Sequence, residues 1–247
     1  MQLTSEQQAF KESYIRARGY WVEFNNGLLI HSPDWLAAYL KYAEAPARFG
    51  PMEARLRELI YVAVDASTTH MFKQGLEIHV RAALAAGCTA AELIEVMQIA
   101  AMQGLDSVAA GMSLLVEEAT TAGVGLPDHP DIGPLLDRYA AIFGDRPAWL
   151  QAMVCVAPCY AEALVDLLAT AARHGTLSEK ERTLIRLALA ASPTHLDRGA
   201  MRTEIRRALA IGAKPEEIAE VFQLVAHLGI HACVDGVPAI VAAAIRS

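Results

Sequence analysis

The 247-residue chain is 54% hydrophobic but only 6% aromatic, an alanine-heavy composition that suits close-packed helices better than sheets of β-branched and aromatic residues. Its formal net charge of -7 and pI near 5.6 leave no basic field to condense on phosphates, so nucleic acid and anionic membrane surfaces are not expected partners. The length admits one large or two small domains with their own cores, and a cytoplasmic location is expected.

The polar start, Met1 to Phe10, lacks the charged-then-apolar order of a signal peptide. No apolar stretch is read as long enough to span a bilayer without a charge or turn. Helices are predicted at about 5 to 18 and 33 to 45, the second opened by Ser32 as cap and Pro33 in the first turn. Next come helices at about 52 to 66, 70 to 86, 90 to 103 and 107 to 120. The first of these four carries Leu56, Leu59, Ile60 and Ala63 at the spacing of one buried stripe. Thr89 with Glu92 reads as a capping box and Gly87 as a left-handed C-terminal cap. The stretch 123–134, with three prolines and three glycines, is the predicted linker between a first unit, 1–122, and a second, degenerate unit, 135–247. Beyond it helices are predicted near 135 to 143, 147 to 156 and 158 to 174, broken at Pro147 and Pro158. The last four lie at about 178 to 191, 195 to 211, 215 to 228 and 232 to 245. Ser178 with Glu181, Gly212 and Pro215 punctuate them.

Adding 125 to a position in the first half lands on its counterpart in the second. Leu59 and Ile60 fall on Leu184 and Ile185, Ser67 on Ser192, and Thr69 and His70 on Thr194 and His195. Gly87 then matches Gly212, Glu92 matches Glu217, Glu95 matches Glu220 and Gly104 matches Gly229. One offset held through three successive elements means duplicated structure, since composition alone does not keep register. The fold class is therefore all-α, two tandem helical repeats.

Arg57-Glu58-Leu59-Ile60, then His79 followed by Ala82, Ala83, Leu84 and Gly87, then Glu92 and Glu95, resemble the signature of the carboxymuconolactone decarboxylase and alkylhydroperoxidase D-like superfamily. Residues 55 to 104 carry the resemblance best and residues 180 to 229 carry a degraded copy. The resemblance implies an all-α fold, assembly into trimers or hexamers, and a pocket near a glutamate and a histidine. Peroxidase members place a Cys-x-x-Cys pair just upstream of the histidine, whereas Phe72 and Gly75 stand there in this chain. Without a positioned thiolate, thiol peroxidase chemistry is disfavoured. Glu58 and His79 are two residues further apart than in the usual motif, which implies a longer loop around Ser67 to His70.

The chemistry that the resemblance implies needs neither metal nor organic cofactor. A departing carboxylate leaves electrons that delocalise into an unsaturated lactone, and the protein holds the acid, stabilises the dienolate and delivers a proton. Glu58 is the candidate proton shuttle and His79 its partner or an oxyanion stabiliser, the alternatives being a solvated carboxylate and a satisfied core histidine. In the second unit their counterparts are Thr183 and Glu204, so function is expected in the first. His70, kept as His195, is read as a third catalytic candidate or as a structural group. A competing constellation is His227, His231 and Asp235, which are ligand types for a divalent metal at successive four-residue spacings. Arg55, Arg57 and Arg81 are candidate anchors for an acidic substrate, or solvated helix faces. Cys88, Cys155, Cys159 and Cys233 are read as ordinary buried or partly buried thiols. The expected partners are a small-molecule carboxylate and further copies of the chain in a homotrimer. A non-catalytic ligand-binding or scaffold protein of the same fold is the alternative function.

Overall fold

The computed structural model describes residues 3–128 and 131–246. Met1 and Gln2 of the polar start, and His129 and Pro130 of the predicted linker, lie outside the described residues. The first half contains α1 (Ser5–Arg18), α2 (Phe24–His31), α3 (Pro33–Phe49), α4 (Ala54–Ala66), α5 (Lys73–Ala85), α6 (Ala90–Ala101) and α7 (Leu105–Ala122). The second contains α8 (Gly133–Phe143), α9 (Ala148–Val156), α10 (Pro158–His174), α11 (Glu179–Ala191), α12 (Arg198–Ala210), α13 (Pro215–Ala226) and α14 (Ala232–Arg246). A 3₁₀ turn joins α6 to α7 at Met102–Gly104, and another joins α13 to α14 at His227–His231. The fold is all-α, as composition and periodicity predict.

The duplication runs further than the sequence identities do. Pro33–Phe49 and Pro158–His174 are the same helix displaced by the same offset, each opened by a proline whose missing donor costs nothing in a first turn. Gly19 and Gly144 close α1 and α8 with φ of 79° and 83°. The capping boxes at Thr89–Glu92 and Ser178–Glu181 both form.

Three differences from the predicted elements have local causes. Helix α2 is absent from the prediction because Asn25, Asn26 and Gly27 are weak helix formers and no side chain caps it, so its eight residues depend on packing. Helix α3 continues through Pro46 to Phe49, past the predicted stop at 45. Helices α5 and α12 start three residues late. The Ser67 carbonyl accepts from His70 N and Met71 N at 2.9 and 2.8 Å, which turns the chain before α5 can begin. Met71 takes φ 50° there, and Leu196 repeats that value in the second copy.

The central core is shared between the halves. Leu59 and Ile60 of α4 and Leu184 and Ile185 of α11 are fully buried in one cluster with Val96 of α6 and Val221 of α13. Each such side chain contributes roughly 1.5–3 kcal/mol of burial. Equivalent residues meet across it: Thr69 Oγ1 lies 2.9 Å from Thr194 Oγ1, as a pseudo-twofold axis requires. Outside the core the halves exchange helices. Helix α7 packs on α9, and α14 packs on α2, with Gly27 against Val237 and Val241.

A buried carboxylate fastens each half to the other. Glu95 of α6 accepts from the backbone of Thr176 and from Leu177 N at 2.9 Å, and pairs with Arg182 Nε at 2.6 Å. Its counterpart Glu220 accepts from Met52 N at 2.8 Å and lies 3.5 Å from Arg57. Gly175 and Gly50 are required at these loops because an added Cβ would fall within 2.3 Å of the Glu95 and Glu220 carboxylates respectively.

By length and composition, the continuous helical stretches Ala90–Ala122 and Pro215–Arg246 are apolar enough to cross a membrane, contrary to the sequence reading. Their first halves, α6 and α13, are core helices carrying Glu95 and Glu220. Their second halves leave apolar side chains on the surface, including Leu114, Leu115, Ile240 and Ile245.

Candidate functional site

Helix α4 sets Glu58, Tyr61 and Asp65 on the side that faces α5. His79 Nδ1 lies 2.8 Å from Glu58 Oε2, so the two-residue lengthening between them does not separate the pair. Between them the chain reverses through the hydrogen-bonded turn at Ser67 to Phe72. His79 is buried, with the Tyr61 ring stacked on it at 4.4 Å and 24° and the Tyr20 ring edge-on at 6.1 Å. With Nδ1 engaged by Glu58, Nε2 is the nitrogen left for a ligand.

His79 lines a narrow cavity of about 40 Å³, together with Tyr20, Asn25, Tyr39, Phe72 and His231. Glu58 stands behind His79 rather than in the wall. Arg18, absent from the sequence candidates, donates to the Tyr20 hydroxyl at 2.9 Å and to the Ala43 carbonyl at 2.9 Å. The Tyr20 O–H is thereby left to donate into the cavity beneath a fixed cation.

The exchange of helices makes the site composite. His227 and His231 lie in the 3₁₀ turn of the second half, yet both meet first-half residues. Tyr61 Oη is 2.6 Å from His227 Nδ1, and His70 Nε2 is 2.7 Å from His231 Nδ1. Burial raises the Tyr61 phenol above its ordinary value, so it stays protonated and donates, which places the His227 proton on Nε2. The histidines read as a rival to the Glu58–His79 pair therefore belong to the same region. Asp235 does not join them and is exposed on α14.

Burial pushes His227 down to about 3, with the Arg18 cation and His79 adding to the effect. Burial likewise pushes His231 down to about 4, and lowers His70. Asp65, 2% exposed, is pushed up to about 8 by burial, with the Glu58 charge adding to it. The sign of the His227 shift gives a prediction. An unfolded histidine titrates near 6.5, so between that value and about 3 the unfolded chain binds more protons. This contribution to stability is complete above about pH 6.5 and is lost as pH falls through the window, at no more than about 1.4 kcal/mol per pH unit. Urea unfolding at pH 7 and pH 5 should show a fall on the order of 2 kcal/mol from this group. His227→Asn should reduce that slope, leaving the part contributed by His231, and an unchanged slope would refute the assignment.

Two groups of sequence candidates turn out to be structural. Arg55 bridges Glu92 of one capping box to Glu181 of the other, and Arg57 holds the Met52 carbonyl and Glu220. Arg81 is exposed. All four thiols are free, but Cys159 is exposed rather than partly buried. The positions of the missing cysteine pair have other uses. Phe72 lines the cavity and packs tilted against the His231 ring with centroids 4.0 Å apart, while Gly75 makes room for Asp65 Oδ2, which an added Cβ would meet at 2.2 Å.

The second unit carries the remnant of the same site. Arg186 Nε pairs with Glu204 Oε1 at 2.9 Å where Tyr61 and His79 stand in the first. His195 pairs with Asp106 at 2.9 Å where His70 meets His231.

Fold and site together define a duplicated helical protein with one histidine–carboxylate pair at a composite cavity. Residues 33–117, the stretch that holds Glu58 and His79, match the carboxymuconolactone decarboxylase family. The chain is also similar to a crystal structure from Burkholderia xenovorans described as a candidate gamma-carboxymuconolactone decarboxylase subunit. The two chains are 29% identical with a TM-score of 0.90, over 97% of this chain and 98% of the other. A comparison with curated proteins gave no match.

Proposed function

We propose that the chain is a decarboxylase-type carbon–carbon lyase, or a closely related proton-transfer enzyme, acting on a small unsaturated lactone or keto acid. The observation that carries this reading is the 2.8 Å His79–Glu58 bond with His79 on the cavity wall. Loss of the substrate carboxylate as carbon dioxide leaves an electron pair delocalised as a dienolate. His79 Nε2 donates the proton that quenches it, and Glu58 fixes the ring and stabilises its charged form. Tyr20, polarised by Arg18, donates to the developing oxyanion. The cavity of about 40 Å³ has room for water but not for a ring-sized acid, so binding displaces the wall between α1 and α2. The alternative role as a non-catalytic binding protein is favoured by a Glu58 that faces bulk water, whereas its side chain is 22% exposed and turned to His79.

The test is a screen of unsaturated lactone carboxylates and keto acids for carbon dioxide release. Release by the intact chain and not by His79→Gln supports the reading; no release from any acid in either class counts against it.

The chain is also proposed to act as a homotrimer. The similar Burkholderia protein is described as a subunit, and α7 and α14 leave Leu114, Leu115, Ile240 and Ile245 uncovered. Light scattering at micromolar concentration should give three times the 26.6 kDa chain mass; a monomer would overturn this.

A further inference from the structure

Asp65 has no role in the chemistry proposed above, and its surroundings do not explain it. The side chain is 2% exposed, and Oδ2 is buried without a hydrogen-bond partner among the described residues. Among the described residues no Lys or Arg side chain forms an ion pair with it. A buried carboxylate left in this state is costly, yet Gly75 and the turn that begins at Ser67 are shaped around it. Two imidazoles stand close to it: ligand atoms of Asp65, His70 and His231 all lie within 4.8 Å of one another.

We infer that Asp65, His70 and His231 form a binding site for a borderline divalent cation of the zinc class, set in the cavity wall beside His79. One carboxylate and two imidazoles are ligand types that such an ion takes, and three protein ligands leave a coordination position open. Tetrahedral coordination at about 2.0–2.1 Å separates ligand atoms by roughly 3.3 Å. His70 Nε2 and His231 Nδ1, now 2.7 Å apart, need to part by only about half an ångström. Phe72 covers the His231 ring at 4.0 Å and excludes water from that side. Of the three ligands, His231 also lines the cavity beside His79.

The second unit supplies an internal contrast. Asp106, His195 and Asp197 cluster at the equivalent place, but Ala190 stands where Asp65 does, so the buried unpartnered carboxylate is missing there. His195 pairs with Asp106, and Asp197 Oδ1 caps α12 by accepting from Gly199 N at 2.8 Å and Ala200 N at 2.9 Å. The ion should therefore bind at the first unit alone. The ligand set also differs from the one the sequence suggests, since His227 is bonded to Tyr61 and Asp235 is exposed.

The test uses the full chain stripped with chelator, then titrated with zinc by calorimetry and with cobalt by visible absorption. One zinc per chain and the ligand-field bands of cobalt bound by nitrogen and oxygen are expected. Asp65→Asn and His231→Gln should weaken binding by at least the 10- to 100-fold that losing even an outer-sphere partner costs. His195→Gln should bind as the parent does. If Asp65→Asn fails to fold, His70→Gln, at a half-buried turn position, takes its place, and zinc should raise the melting temperature of the parent but not of this variant. Absence of zinc binding by the parent overturns the inference, as does equal loss in His195→Gln. Glu58→Gln should retain zinc binding, so failure of this site and failure of the decarboxylase reading are separately visible.

Discussion

His79→Gln is expected to lower turnover on a confirmed substrate by about 10²- to 10⁴-fold, the range of a positioned general acid or base. Gln keeps the size and a hydrogen-bonding group while removing the titratable nitrogen. Glu58→Gln leaves an acceptor 2.8 Å from Nδ1 but removes the charge that stabilises the protonated ring, so the expected loss is smaller, on the order of 10- to 10²-fold. His70 faces His231 and does not line the cavity, so His70→Gln should leave the rate constant within a few-fold of the parent. The second unit supplies the control. Thr183→Ala and Glu204→Gln should leave turnover per folded molecule unchanged, although Glu204 pairs with Arg186 and its loss should lower the melting temperature. Steady-state kinetics with parallel thermal melts separate these effects. Full activity in His79→Gln would remove the site assignment while leaving the fold untouched.

The helices were legible wherever period, caps and offset agreed, which is why α4, α6, α11 and α13 fall close to their predicted places. The repeat was legible only where side chains match. Its extension to α1–α3 and α8–α10 could have been found in Gly19 with Gly144 and Pro33 with Pro158, which share the offset but little surrounding identity. The Glu58–His79 pair was readable from the motif because both residues lie in one helical hairpin. His227 and His231 were noticed for their spacing but assigned to the wrong neighbours. Their partners Tyr61 and His70 are 166 and 161 residues away, and only the exchange of α14 across the halves brings them together. Asp65 offered no signal at all. It reads as the polar end of an amphipathic helix, and its burial follows from a turn whose left-handed Met71 no propensity scale would suggest. The motif glutamates at 95 and 220 raise a different question, since neither lies in the cavity.

Glu95→Ala is expected to cost about 3 kcal/mol of unfolding free energy, the typical effect of removing one partner from a buried ion pair. The size follows from what the carboxylate satisfies. Its side chain is 6% exposed and serves the Thr176 and Leu177 N–H groups, the Thr176 hydroxyl and Arg182. Truncation leaves a partly buried guanidinium and loop N–H donors without their acceptor at the joint between α6 and α11. Although burial alone would raise it, the loop N–H groups and Arg182 hold the Glu95 carboxyl below the usual range. Its contribution is therefore present above about pH 4.5, near the ordinary glutamate value, and is lost as pH falls through the lowered one. Glu220 has one backbone donor and a longer approach to Arg57, and burial raises its carboxyl, so Glu220→Ala should cost less than Glu95→Ala. Glu77→Ala, which breaks only an exposed pair with Lys73, should change stability by less than about 0.5 kcal/mol. Urea unfolding at pH 7 with a common m-value would rank the three. A Glu95→Ala loss no larger than that of Glu77→Ala would show that the two halves hold together through their apolar core alone.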